Sequence, residues 1–435
     1  MRIAVVSPWG SPCGISVYSG DVYGELARRG HTIQVFAMEE SLPAATPAEV
    51  AVTRNWAAGQ APSWRFAIDL QQFHPDTIHV QHEIGFFSPL AVWREWLDCL
   101  RRFGVPVIVT YHSVPDAPTS ITDLPVSAAV VCSPVGASLL ESRVSFPVYG
   151  IEHGVDGPIP TDRQPEPRSL VTFGFLAECK GYERILKAMA ELRSELPDLT
   201  LTIMGSLTSR ALAGQMDYFQ RLHHQIAAMG LTGRVDISCG FRTLSEVRSV
   251  LSRKAVGVLH YDRTDRLIVS GLGETAESAE YSPAEVLGTT GVLSCASPSD
   301  VRGTTQRWPG APAATMMLGT TGPFGAVSDS HQGHKVQPGR AGIRCQSAAI
   351  FRMWSAGVPC IVSQAQHFDL GPTLRKALIR ADSDCGLTEQ IRRLCTSSEA
   401  YSSACEAVST HVTRRWTDVA DDHERVYADL NAASH

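Results

Sequence analysis

The chain opens on a short apolar run, Arg2 to Ser7, in which Ile3, Ala4, Val5 and Val6 carry no helical period and predict a buried first strand. From Val17 to Arg29 the pattern changes: Val17, Val22, Tyr23 and Leu26 fall on one side of a helix that Gly30 stops. Ile33–Phe36 begins the next strand. Thr77–Val80, Val107–Tyr111 and Ala129–Cys132 follow as further strands, with helical segments between several of them. Strand alternating with helix predicts an α/β fold with a mainly parallel sheet covered on both faces.

The pattern restarts after Gly154–Pro158 and the polar, proline-containing stretch Pro160–Pro167. Ser169–Phe173 reads as strand, Tyr182–Leu196 as helix, Leu199–Met204 as strand, Met216–Met229 as helix, and Val235–Ser238, Val256–His260 and Val358–Ser363 as strands. The expected organisation is therefore an amino-terminal domain over residues 1–153, a second over 154–410, and a closing helical segment over 411–435. Residues 265–340 break the regularity, since 33 of these 76 residues are Gly, Pro, Ser or Thr, and they read as an irregular insertion. Two related stretches inside it, Leu287–Gly291 and Leu318–Gly322, are too few to make a repeat architecture.

A length of 435 residues fits two domains of ordinary size, and 44 % hydrophobic against 19 % charged residues excludes a largely disordered chain. The net charge of −6 excludes a global basic field for nucleic acid or anionic lipid. The apolar amino terminus is too short for a secretory signal, and no apolar stretch approaches the roughly 20 residues of a membrane span. Eleven scattered cysteines, without a C-x-x-C pair, fit reduced thiols better than a disulfide framework or a zinc site. The expectation is a cytoplasmic protein. The stretch Leu90–Phe103 carries Trp93, Trp96, Leu97, Leu100 and Phe103 at helical spacing with Arg94, Arg101 and Arg102 among its polar positions, and Glu95 and Asp98 dilute that charge. Packing against a sheet is favoured over peripheral membrane contact.

Two segments place chemistry at the carboxyl ends of strands. Ser7–Ser16, with Gly10 and Gly14, links the first strand to the first helix, where open α/β sheets bind ligands; it reads either as a ligand loop or as a plain tight turn. Lys180, in Gly174–Gly181, precedes the helix of the second half, where it and the helix dipole would share an anion; a solvated surface lysine is the alternative.

Cys13-Gly14-Ile15 with Tyr18, Arg29-Gly30-His31, His79-Val80-Gln81-His82-Glu83, Thr110-Tyr111-His112, His153-Gly154-Val155, Gly174-Phe175-Leu176 with Lys180-Gly181, and Ala356-Gly357-Val358-Pro359 occur in the order seen in family-4-like glycosyltransferases. The chain resembles that family from the first strand to the helix around Trp416, omitting only 265–340. The resemblance implies two facing Rossmann-like domains of the glycosyltransferase B type, a nucleoside diphosphate sugar donor (GDP- or UDP-sugar, with mannosyl transfer as a lean), a hydroxyl acceptor, retention at the anomeric carbon and no essential metal. It implies that His112 lies beside the donor sugar, that Gly14 faces the diphosphate, that Lys180 neutralises the leaving phosphates, and that His153 sits at the interdomain hinge. His82 and Glu83 read as an acceptor-side or structural polar cluster. His79 and His82 on a strand do not share a face as metal ligands would, and the adjacent His223 and His224 on a helix invite the same caution.

Two features depart from the family. Where many relatives carry an arginine beside the lysine, this chain has Phe175. Where the family has two glutamates spaced E-x7-E, the register set by Ala356–Pro359 puts Arg344 and Arg352; with the backbone near Ser347, these arginines are candidate diphosphate ligands. A rival register places Glu277 and Glu285 there. The competing function classes are a nucleotide-sugar-binding protein with weak or no transferase activity and an epimerase on the same fold.

Overall fold

Arg2–Ser7 does form a strand, β1, and it lies in the middle of the first sheet. The structure is a computed structural model and describes residues 1–11, 13–39, 49–116, 122–206, 212–262 and 343–433, all within one compact unit. The first half contributes β1, β2 (Thr32–Met38), β3 (Val50–Trp56), β4 (Thr77–His82), β5 (Val107–Tyr111), the two-residue β6 (Val114–Pro115), β7 (Ala128–Val131) and β8 (Val148–Gly150). All but β6 pair in parallel, in the order β3-β2-β1-β4-β5-β7-β8. The second half contributes β9 (Glu166–Phe175), β10 (Thr200–Ser206), β11 (Val235–Cys239), β12 (Lys254–Leu259), the short β13 (Ile343–Arg344), β14 (Cys360–Val362) and β15 (Leu378–Arg380). Its parallel sheet runs β11-β10-β9-β12-β14-β15.

Strand order reverses beside β1 in one sheet and beside β9 in the other, and such switch points leave a crevice at the carboxyl ends of the strands. The α/β fold expected from the alternating pattern is found, with two Rossmann-like sheets. A third, small pairing joins the halves: β13 runs antiparallel to β6, Ile343 opposite Pro115 and Arg344 opposite Val114.

Each sheet is covered on both faces by buried apolar clusters. One face of the first carries Trp56, Phe66, Phe87, Trp93 and Trp96. The helix Leu90–Arg101 turns Trp93, Trp96, Leu97 and Leu100 into that core, so the apolar face foreseen at Leu90–Phe103 packs on the sheet. The other face is completed from a distance. The last described helix, Trp416–Ala433, returns to the first half and adds Trp416, Val419, Ala420, Val426 and Tyr427 to a core built from Ile3, Val5, Val22 and Val35.

The chain therefore crosses between halves twice. Outbound, it leaves β8 and reaches β9; inbound, it returns at Arg415, which bridges to Val155. Gly154 marks where the crossings touch, since a Cβ there would lie 2.6 Å from the Arg415 carbonyl carbon and the Trp416 nitrogen. Among the described residues no helix is long and apolar enough to cross a membrane. Glu277, Glu285 and the irregular stretch 265–340 lie outside the described residues.

Candidate functional site

Loops following β1, β5, β9, β10, β12 and β14 meet around a cleft enclosing about 1250 Å³ including its open mouth. Its lining brings Gly14, His112, Lys180, Ser347 and Arg352 together; Arg344, His82 and Glu83 do not line it. Among the described residues no carboxylate lines the cleft, whereas Lys180, Arg242 and Arg352 do.

Gly14 is placed differently from the loop position expected for it. The first helix runs Gly14–Arg28, starting before Val17 because the Cys13 thiol accepts a hydrogen bond from the Ser16 N–H at 3.4 Å and caps the first turn. Gly14 is thus the first residue of a helix aimed at the cleft. Across from it starts the helix Ala348–Ser355, and a Cβ on Gly14 would lie 3.8 Å from the Ala348 Cβ. Two helix N-termini, each carrying partial positive charge, converge here. The second has no side-chain cap: the Ser347 hydroxyl lies 3.3 Å from the Tyr261 hydroxyl, and the Ser347 N–H donates to the His367 carbonyl at 3.1 Å.

Lys180 sits in a short 3-10 turn, Glu178–Lys180, ahead of the helix Tyr182–Glu191. It is only 5 % exposed, so the solvated-lysine alternative does not hold. Its ammonium lies 4.0 Å from the centroid of the Tyr261 ring, a cation–π contact, and no carboxylate pairs with it among the described residues. Phe175 lines the cleft nearby, its carbonyl accepting from the Tyr182 hydroxyl at 2.9 Å.

His112, 7 % exposed, donates from Nε2 to the Gln81 side-chain oxygen at 2.9 Å and packs edge-on against Tyr18 at 5.2 Å between centroids. Burial pushes its pKa down to about 3, so the ring is neutral at ordinary pH. His153 packs against Tyr18, Phe351 and Trp416, and its N–H donates to the Gln346 side-chain oxygen at 3.0 Å.

The two arginines are engaged elsewhere. Arg352 pairs with Asp21 of the first half and with Asp156, which Arg248 also meets at 2.8 Å. Arg344 pairs with Asp116 of the first half and at 3.1 Å with Asp369. Both guanidinium groups tie the halves together. His82 is fully buried in an aromatic box of Phe87, Trp93 and Tyr111, with no hydrogen-bond partner at either ring nitrogen among the described residues. Glu83 is buried and accepts from the Ser113 hydroxyl at 2.9 Å. His79 faces away from His82, bonded to Tyr427 and Thr110 at 2.8 Å each. No group of three or more His, Cys, Asp or Glu fit to hold a metal occurs among the described residues.

Sequence reasoning passed over His367. It lines the cleft at 4 % exposure, meets Tyr261 edge-on at 5.2 Å, and has no hydrogen-bond partner at either ring nitrogen among the described residues. Burial first, then the Lys180 charge, hold its pKa well below the usual histidine range. A buried polar ring with nothing to bind, aimed into a cavity, is a group awaiting a ligand.

The sequence model described as Glycosyltransferase Family 4 matches residues 12–156. No curated protein matches the chain in sequence. Among solved structures, sucrose-phosphate synthase from Thermosynechococcus elongatus is 15 % identical with a TM-score of 0.60, and the likeness covers all of both chains. HepE from Anabaena, solved in complex with UDP-glucose, is 13 % identical with a TM-score of 0.58 over 99 % of this chain and 100 % of its own. A trehalose-6-phosphate synthase, studied for glycosyltransfer with retention, is 11 % identical with a TM-score of 0.58 over 99 % of each chain. These structural likenesses are of fold. Together with the match over 12–156, they bear out the resemblance to family-4-like glycosyltransferases.

Proposed function

We propose that this family-4-like glycosyltransferase moves a hexosyl group from a nucleoside diphosphate sugar, UDP- or GDP-linked, to an acceptor hydroxyl with retention. The observation that carries the reading is the convergence of two helix N-termini, an unpaired buried Lys180 and an unpartnered His367 on a cleft lined by no carboxylate among the described residues. That is a receptacle for a compact anion bearing more than one charge. HepE, of like fold, was solved holding UDP-glucose, which supports a nucleotide sugar as that anion.

In the transfer, the bond between the anomeric carbon and the phosphate oxygen breaks with its electron pair leaving on the diphosphate. A new bond forms to the acceptor oxygen, and the acceptor proton passes to a diphosphate oxygen. Negative charge grows on the leaving group, so donors fixed before the reaction stabilise the transition state more than the ground state. Lys180, His367 and the free N–H groups at the start of Ala348–Ser355 are such donors. Positive charge grows on the sugar, and a neutral His112 beside it adds no repulsion. Arg344 and Arg352, already neutralised by carboxylates, serve here as ties between the halves.

A second reading, a nucleotide-sugar-binding protein that turns over slowly, draws on Phe175 standing where many relatives carry a cation. Incubation with UDP-, GDP- and ADP-sugars, with and without hydroxyl acceptors, followed by mass spectrometry, separates the readings. Transfer is expected for one donor class. Binding by calorimetry without turnover supports the second reading, nucleotide release without acceptor an epimerase, and neither binding nor turnover with any donor overturns the proposal.

A further inference from the structure

Lys180, Tyr261 and His367 follow β9, β12 and β14, three strands that lie side by side in the second sheet. Their side chains meet beyond the strand ends. The Tyr261 ring has the Lys180 ammonium 4.0 Å from its centroid and the His367 ring edge-on at 5.2 Å. Next to them starts the helix Ala348–Ser355, tied to the same place by the bond from the Ser347 N–H to the His367 carbonyl at 3.1 Å. A helix N-terminus therefore adjoins a buried, cleft-lining ring whose nitrogens have no hydrogen-bond partner among the described residues.

A nucleotide sugar carries two negative charges on its diphosphate, and Lys180 answers one of them. Arg352 is engaged by Asp21 and Asp156, Phe175 stands where many relatives carry a cation, and Arg242 follows β11, two strands to the other side of β9. The imidazole is placed to answer the second. A phosphate oxygen only accepts; a neutral ring offers it one donor and one acceptor, whereas an imidazolium offers two donors. Without a ligand the ring is neutral, because burial and the Lys180 charge both oppose a proton there. Two phosphate charges reverse that field. We propose that His367 holds the diphosphate as an imidazolium, taking a proton from solvent as the nucleotide sugar enters and returning it as the nucleotide leaves. The proposal deepens the donor-site reading and rests on it.

The other groups around the ring are already engaged. Arg344, on the strand β13 that packs against the turn Gln366–Phe368, is paired with Asp116 and Asp369. Arg380, on β15, donates to the Ser363 and Phe368 carbonyls at 3.0 and 2.7 Å. Burial pushes the Cys345 thiol up to about 12, so it stays neutral. The Ser347 and Tyr261 hydroxyls lie 3.3 Å from each other.

The test is calorimetry of the full chain with UDP-glucose and with GDP-mannose, whose phosphates do not titrate near neutral pH, in phosphate-free buffers of different ionisation enthalpy. The donor that binds should take up close to one proton per site, and its affinity should rise as pH falls from about 8 to about 6.5, at most about tenfold per unit, the limit for one proton. His367→Asn keeps a hydrogen-bond donor that cannot be charged. In it the uptake should vanish and the affinity become flat with pH. Should that variant fail to fold, uptake that persists in both His112→Asn and His153→Asn supports His367 as the lining histidine that charges, and its loss in either overturns the assignment. Binding without uptake in the parent, or unchanged uptake in folded His367→Asn, overturns the inference and leaves the proposed function standing. Binding of neither nucleotide sugar overturns both.

Discussion

A buried ammonium without a carboxylate is costly to fold, and among the described residues Lys180 has none. Its compensation among those residues is the face of the Tyr261 ring, so the charge is poised for an anion that arrives later. Lys180→Ala is therefore expected to lower turnover by about 10²–10³-fold, the cost of losing one preorganised donor, while leaving the thermal midpoint unchanged or raised. It should weaken binding of UDP much more than of uridine, since only the diphosphate carries the charge. Calorimetry with both ligands checks this, and equal loss for the two would contradict the assignment. Gly14, Lys180 and Ser347 are visible in the sequence because each sits beside a helix start, and His112 because it follows a strand. His367 and Tyr261 carry no motif. They come from loops after β14 and β12, and only the folded sheet brings them to Lys180.

Elements form where local rules and burial agree. Val107–Tyr111 is read at both ends because a central parallel strand is mostly apolar, and all five residues are buried. Val50–Trp56 is not singled out because, at the sheet edge, three of its seven residues are half-buried, a fourth is exposed, and its run is blurred. Tyr182–Leu196 ends as a helix at Glu191, the rest continuing as turns into the core through Leu192 and Leu196. The start of that helix depends on Gly181, in the left-handed region at φ 67°, where a Cβ would come within 2.0 Å of the His260 carbonyl oxygen. Gly181→Ala should destabilise by about 2–4 kcal/mol through backbone strain and displacement of the loop after β12. Gly30→Ala is the control: φ is 91° there but nothing lies within 4 Å, so strain alone should cost about 1–2 kcal/mol. Denaturant unfolding of the two variants reads the difference, and equal losses would show that the contact with His260 matters little.

Across the whole molecule, buried neutral histidines make stability depend on acid. Burial holds His82, His112 and His153 down to about 3 and His423 to about 4. Unfolded, each titrates near its ordinary value of about 6.5. Below that pH the unfolded chain takes up protons that the folded one refuses, so their stabilising contribution is complete above about pH 6.5 and is lost as pH falls toward 4. Thermal unfolding from pH 7.5 to 4.5 should show a falling midpoint. His82→Phe, in a box that offers the ring no hydrogen bond, should flatten the fall and raise the midpoint at pH 5; an unchanged slope would remove His82 from the account. The halves and the break near residues 150–168 are readable from the pattern of strands, whereas Arg344 and Arg352 as ties are not, because their partners Asp116 and Asp21 lie hundreds of positions away.

The returning helix also sets an order of events during synthesis. β8 ends at Gly150, yet one face of its sheet, covered until then only by the helix Gly14–Arg28, stays incomplete until Trp416–Tyr427 have been made. At roughly 5–20 residues per second, that interval is on the order of 15–60 seconds on the ribosome. The second half, whose cluster around Leu170, Ile185, Leu201 and Ile391 draws only on residues made within that interval, closes first. The amino-terminal half, first out of the ribosome, is thus the last to finish, and a nascent chain halted before Trp416 should be the form that chaperones hold and proteases cut.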